Sequence, residues 1–260
     1  MAIGELVRMH EELERALARP EKERSWLMVI DVRKCVGCHA CSVSCMAENV
    51  APPGTSYRVV YEAENEKYPK SDRFFMPANC QHCDNPPCKA AAEKLAKGAI
   101  AKRPDGIVTF NYGKLKKNGK AREAAKKACP YTAIVSDKGG FYTEGTPALE
   151  PYETRDFFEY GEKLTRKGKN LSETIRKCTF CLHRLNAGMI PACVSTCIGR
   201  AMYFGDGADK TSLVSELIAR EGSWRIKSGL KTSPRVYYLG YKDRNDFTKI
   251  TPTSCLVCHE

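Results

Sequence analysis

No run of eighteen apolar residues occurs anywhere in the 260-residue chain. No segment therefore reads as a membrane-spanning helix, and any attachment to a bilayer is expected to come through a partner. The first twenty residues, M-A-I-G-E-L-V-R-M-H-E-E-L-E-R-A-L-A-R-P, have neither the apolar centre of a secretory leader nor a twin arginine, so no export signal is expected there. No Ser-His-Asp arrangement, phosphate loop or C-x3-C-x2-C triad of a radical enzyme is evident, and no independent active site is expected. Cysteine, at 14 of 260 residues, is too sparse for the small disulfide scaffolds of secreted chains. It is also bunched rather than scattered, which points to metal.

Hydrophobic residues at 42% supply ordinary cores for one large domain or two small ones. Ile3, Leu6, Met9, Leu13 and Leu17 recur at helical spacing and Pro20 stops the run. Residues 1–23 thus read as an amphipathic helix, packed on its own protein or docked on another subunit. The formal charge of +11 raises nucleic acid as a partner.

The cysteines fall into four groups. Cys35, Cys38, Cys41 and Cys45 have the spacing C-x2-C-x2-C-x3-C, the bacterial ferredoxin run, in which three thiolates hold one 4Fe-4S cube and the fourth reaches another. A short loop can wrap three corners of a cube, while the fourth corner needs a remote thiolate. Zinc sites instead usually pair two C-x-x-C knuckles. The second group is Cys80, Cys83 and Cys88, with Ala92 where a fourth cysteine would stand, and the third is Cys129 alone. Counting back from Cys129 in ferredoxin spacing meets Ala125, Arg122 and Gly119. Cys178, Cys181, Cys193 and Cys197 make the fourth group.

In paired ferredoxin motifs, three thiolates of one motif combine with the last thiolate of the other. If the second and third groups are partners, Cys80, Cys83, Cys88 and Cys129 complete one cube, while the cube that would need Ala92, Gly119, Arg122 and Ala125 is lost as a unit. The same rule joins Cys35, Cys38 and Cys41 to Cys197, and Cys178, Cys181 and Cys193 to Cys45. Three 4Fe-4S clusters are expected. At about minus two charges each they would bring the net charge to about +5, so much of the basic excess reads as counter-charge and the nucleic-acid reading weakens.

The segments W-L-M-V-I-D-V-R-K-C-V-G-C-H-A-C (26–41), C-Q-H-C-D-N-P-P-C (80–88), D-G-I-V (105–108), A-C-P-Y (128–131) and K-C-T-F-C to F-G-D (177–206) resemble the ferredoxin-type electron-transfer subunits of molybdopterin oxidoreductases. Those are the dimethyl-sulfoxide, polysulfide, arsenate and nitrate reductases, and the resemblance covers about residues 26–240. It implies a non-catalytic relay between a catalytic subunit with a molybdenum or tungsten bis-pterin and a quinone-reactive membrane subunit or a cytochrome. The implied fold is α+β, with two bacterial-ferredoxin-like modules, the second inserted into the first. Residues 24–62 and 165–240 would form the two-cluster module, 63–164 the one-cluster module, and 241–260 a tail. W-L-M-V-I, Y-R-V-V-Y, G-I-V-T-F, T-A-I-V and R-V-Y-Y-L read as short strands. In relatives the missing cluster lies between the first pair and the outermost cube, so the cube on Cys129 would stand apart across a gap, and whether it is a relay or a structural staple stays open. Ile198 replaces the family's usual proline, with small effect expected. Residues 137–172 form a polar segment longer than most loops, read as a docking excursion or a mobile loop.

The tail T-P-T-S-C-L-V-C-H-E carries C-x-x-C-H, the attachment signature of c-type haem, with Cys255 and Cys258 as thioethers and His259 as axial ligand. The C-x-x-C-H pattern also occurs at Cys35 to His39, where it serves a cube, and a labile vicinal disulfide-type pair, half a zinc site shared with a partner, or no site at all are the other readings of the tail. A haem there would place the subunit on the periplasmic face of the cytoplasmic membrane, exported with a signal-bearing partner; without it the subunit would be cytoplasmic. His39, His82 and His183 flank cluster cysteines but are expected not to ligate. Lys34, Lys89, Lys177 and Arg184 either favour reduced clusters or are simply solvated, and Trp26 and Trp224 read as core or interface aromatics. Two other functions stay open: an iron-sulfur subunit of a hydrogenase or cytochrome-type nitrite or sulfite reductase complex, and a nucleic-acid-associated protein with structural clusters.

Overall fold

The computed structural model describes residues 2–49, 51, 55–65, 72–137, 174–220 and 222–241. The segment 138–172, the tail with Cys255, Cys258 and His259, and hence every expectation placed on them, lie outside the described residues.

Helix α1 (Ala2–Leu17) follows the expected apolar spacing. Its Met9, Leu13 and Ala16 are buried in the main core against strand β8 (Met202–Asp206), so it packs on its own protein; full burial of a Met or Leu side chain contributes about 1.5–3 kcal/mol. Buried Glu12 takes the Leu213 amide on both carboxylate oxygens at 3.0 Å. This acidic group holds the N-terminus of α8 (Leu213–Arg220), where helix amides need an acceptor.

Strand β1 (Trp26–Asp31) is buried almost throughout, as W-L-M-V-I-D suggests for a central strand. It pairs antiparallel with β8 and parallel with β9 (Val236–Leu239) in a three-stranded sheet. Early and late parts of the chain thus share one sheet. Trp26 stacks on Phe204 at 5.4 Å and Trp224 on Tyr238 at 4.9 Å, so both tryptophans are core aromatics. Three two-stranded ladders complete the sheets: β2 (Val59–Asn65) with β3 (Asp72–Ala78), β4 (Ile100–Lys102) with β5 (Val108–Phe110), and β6 (Val135–Asp137) with β7 (Thr174–Arg176). The β2–β3 hairpin runs across the expected boundary after residue 62.

The remaining α-helices among the described residues are short. They are α2 (Ala40–Glu48), α3 (Pro87–Glu93), α4 (Tyr112–Lys117), α5 (Gly119–Ala128), α6 (Leu182–Asn186) and α7 (Ala192–Ser195), and all but α4 carry a cysteine or are capped by one. Helices α3 and α5 pack together over a second core of Ala92, Ile100, Val108, Leu115, Ala125 and Ile134. Among the described residues no helix is long and apolar enough to cross a membrane.

Candidate metal centres

Each of the twelve described thiols stands in a loop leaving a strand or helix, or in or at the end of a helix. Cys35 and Cys38 lie in the turn after β1, and Cys41 and Cys45 on α2. That turn needs Gly37: its φ is +68°, and a Cβ would come within 2.4 Å of the Phe75 ring, in a backbone region costly for other residues. Cys80 and Cys83 follow β3, Cys88 opens α3, and Cys129 caps the C-terminus of α5. Cys178 follows β7, Cys181 caps α6 in a left-handed conformation, Cys193 lies on α7 and Cys197 follows it.

Three cavities gather these twelve thiols. Cys35, Cys38, Cys41 and Cys197 line one with Val60, Gly199 and Met202. Cys45, Cys178, Cys181 and Cys193 line a second with Met28, Tyr57 and Arg58. Cys80, Cys83, Cys88 and Cys129 line a third with Val108, Tyr131 and Lys177. These are the three sets expected from the spacing. Among the described residues no three histidine, cysteine or acidic side chains converge as the ligands of a single ion would. The thiols line the three cavities in fours.

Burial governs the thiols. It pushes Cys41, Cys83 and Cys88 up to about 12 and Cys178 up to about 11, with neighbouring thiols adding to the effect. As free thiols they would be neutral at pH 7, so ligation must displace their protons. Two buried cations accompany them. Arg58 donates through Nη2 to Cys193 Sγ at 3.2 Å and approaches Met28 Sδ at 3.1 Å, while its Nε and Nη1 are buried with no acceptor. Burial disfavours its charge, but the surrounding sulfurs of Cys193, Cys41 and Cys178, with the hydrogen bond to Cys193, act the other way and raise its pKa. Buried donors without acceptors are costly, and an anionic sulfide-bearing centre in the adjoining cavities would satisfy them. The donor set and this orphaned guanidinium both fit 4Fe-4S cubes. Lys177, at the third cavity, is 1% exposed and bonds the carbonyls of Val108 and Cys178. It is not a solvated lysine.

The cavities form a row. Cys41 of the first and Cys193 of the second share Arg58 as neighbour. Asn79 Nδ2 joins Cys178 Sγ of the second cavity, at 3.5 Å, to the carbonyl of Cys80 in the third, at 3.1 Å. After burial, the charge of Cys80 is the largest influence raising Cys178. The third set therefore adjoins the second directly, which corrects the expectation that it stands apart across a gap. Of the four positions of the lost set, Ala92 and Ala125 are fully buried in the second core, and Arg122 bonds the carbonyls of Leu115 and Lys116 at 2.8 and 2.7 Å. Apolar packing and a helix cap take up that region, in the core that also holds Cys88.

The basic excess is also not mainly counter-charge. Between residues 87 and 128, twelve lysines and arginines face three acidic residues, so nine of the net eleven positive charges lie in this stretch. Lys94, Lys97, Lys114, Lys117, Lys120, Lys126 and Lys127 there are exposed. Of the flanking histidines, His39 lines the first cavity and His183 Nε2 pairs with Glu48 at 2.8 Å. His82 is fully buried, accepts from the Val108 amide at 3.1 Å and lies 3.9 Å from the Phe180 ring between the second and third sets. Burial, then Lys177, Lys102 and Arg235, hold its pKa well below the usual range. Arg58 escaped the sequence reading, although strand alternation in Y-R-V-V-Y puts it on the buried face of Val60.

A mixed helix-and-sheet chain that folds twelve thiols around such cavities defines an iron-sulfur protein. A family model described as a 4Fe-4S dicluster domain matches residues 71–144 and 163–207. The B subunit of selenate reductase from Mesobacillus selenatarsenatis is 45% identical over 235 residues, spanning 90% of this chain and 78% of that protein. The B subunit of tetrathionate reductase from Salmonella typhimurium is 33% identical over 222 residues, 84% of this chain and 73% of that one. The iron-sulfur B subunit of a putative dimethyl sulfoxide reductase from Halobacterium salinarum is 31% identical over 226 residues, 82% and 78% of the two chains. The chain belongs to this family of iron-sulfur electron-transfer subunits of reductase complexes, and it is not a catalytic subunit.

Proposed function

We propose that the chain holds three 4Fe-4S clusters in a row and relays single electrons between a molybdenum or tungsten bis-pterin subunit and a quinone-reactive membrane subunit or cytochrome of an anaerobic respiratory complex. The observation that carries this is the division of all twelve described cysteines among three cavities of four, with none left over. Cys35, Cys38, Cys41 and Cys197 would hold the first cluster, Cys45, Cys178, Cys181 and Cys193 the second, and Cys80, Cys83, Cys88 and Cys129 the third. When bound, 4Fe-4S clusters supply one-electron oxidation and reduction. The chain's part is to bury them, exclude water and set their potentials through Arg58 and Lys177. The residues lining the cavities favour two inserted ferredoxin-like modules: the first two draw mainly on 34–60 and 178–202, the third mainly on 80–134.

Val36, Val43 and Ile198 are exposed near the first cavity, an apolar rim suited to permanent contact with the catalytic subunit. Cys255, Cys258 and His259 would carry a c-type haem, and the complex would then sit on the periplasmic face of the membrane, its chain exported with a signal-bearing partner. A pyridine haemochrome spectrum without c-type haem would remove both points. The principal test is metal analysis of the native complex purified through this chain. Molybdenum or tungsten is expected with the iron; nickel, or a multihaem catalytic partner without either metal, would assign the chain to a hydrogenase or a cytochrome-type reductase instead.

A further inference from the structure

We infer that the exposed lysine face of α4 and α5 is the docking surface of an acidic, water-soluble electron-carrier protein that exchanges electrons at the third centre. The inference rests on the relay reading above and names the partner at the far end of the row.

Location carries the first part of the argument. The third thiol set ends the row, and two of its members stand at or against the charged helices: Cys129 caps α5 two residues after Lys127, and Cys88 opens α3, which packs on α5. Exposed Lys227 donates to the Pro130 carbonyl at 2.7 Å, one residue beyond Cys129. Lys120 and Lys127, seven residues apart and both exposed, share one face of α5 with exposed Glu123 between them, and the lysines outnumber it. Where a further cube's ligands would stand, Ala92 and Ala125 pack into the second core together with Cys88 and against Cys129, so these helices pack directly on the third set.

Chemistry decides the occupant. Lysine is depleted from the cores of permanent subunit interfaces, whereas a like-charged patch steers a transient, salt-sensitive encounter with a partner of opposite charge. The apolar rim at the first cavity makes the opposite choice. A lipid-binding helix would need an exposed apolar face, and single-stranded nucleic acid would need aromatic platforms. In residues 87–128 the large exposed hydrophobic residue is Leu95, and the apolar face of α5, Ala121 and Ala125, is turned inward. The step is a bare exchange: one electron lost by the reduced carrier is gained by the chain's oxidised centre, or the reverse, with no bond made or broken and no proton required.

The test uses the full chain with its clusters assembled, and a reduced acidic plant-type [2Fe–2S] ferredoxin as probe. Stopped-flow oxidation of the ferredoxin and its association, read by anisotropy of a labelled sample, are followed against salt. Lys120→Glu with Lys127→Glu is compared with Lys22→Glu with Lys210→Glu, two exposed lysines outside the patch. Iron content and electron paramagnetic resonance (EPR) spectra verify that each variant is loaded. The α5 pair is expected to slow the reaction and weaken association at least about tenfold at low salt, with a flatter salt dependence, while the control pair stays near the parent. Equal effects of the two pairs, or none, would overturn the inference. So would loss of binding to phosphatidylglycerol vesicles or duplex DNA in the α5 pair with the ferredoxin rate unchanged. If the loaded parent accepts no electrons even from dithionite, the relay reading itself fails, a separate result.

Discussion

Arg58 is the residue whose replacement should speak most clearly. Changing it to methionine keeps an unbranched stem beside Met28 while removing a buried positive charge that bonds Cys193 and neighbours Cys41 and Cys178. Reduction adds a negative charge to a centre, so Arg58 stabilises the reduced form and raises the potentials of the first and second sets. The charge it meets is spread over a whole centre, which sets a working separation of about 6 Å; at an effective dielectric of about 20 this gives about 2.8 kcal/mol. For one electron that is about 120 mV, and relaxation of a polar surrounding would halve it to about 60 mV. An EPR-monitored redox titration of the loaded Arg58→Met chain should therefore show midpoints lowered by about 60–120 mV in one or both sets. Arg58→Lys should recover most of the difference. Unmoved midpoints, within about 20 mV, in a variant that keeps its iron would show that the guanidinium does not act on the centres.

Cys129→Ala should remove the third centre alone: about four of about twelve iron atoms go, while the signals of the other two sets persist because their cavities share no thiol with it. Full iron retention by this variant would break the assignment. The chain stripped of iron should lose stability as pH rises. Burial raises Cys41, Cys83 and Cys88 to about 12 and Cys178 to about 11 in the fold, against about 8.5 for an unfolded thiol. Their contribution is complete below about pH 8.5 and is lost as pH climbs through the folded values. Calorimetric melts at rising pH should show that decline, and it should be absent in the loaded protein, whose thiolates are already ligated.

The grouping of thiols was legible in the sequence because a cube imposes local spacing on three ligands and leaves only the fourth remote, so counting positions identifies partners forty or more residues apart. Helix α1 was legible through its apolar period, and β1 and β9 through runs of branched and aromatic residues. Strand β8, M-Y-F-G-D, and strand β3, D-R-F-F-M-P-A, carry a glycine and a proline that read as breakers, yet sheet pairing with β1 and hairpin pairing with β2 hold them extended. The order of the centres was not legible. It depends on Asn79 bringing the end of β3 against the loop after β7, a long-range contact with no local signature. Charge was misread for a related reason: a net value does not say where the basic residues are, and the structure buries two of them, Arg58 and Lys177, at the thiols and exposes seven lysines between residues 94 and 127.

The most direct measurement is a paired count of non-haem iron and acid-labile sulfide per chain in protein isolated without oxygen. Three sets of four thiols predict about twelve of each. About sixteen, which would require ligands at Ala92, Gly119, Arg122 and Ala125, or about eight, which would leave one thiol set unused, would contradict the arrangement described.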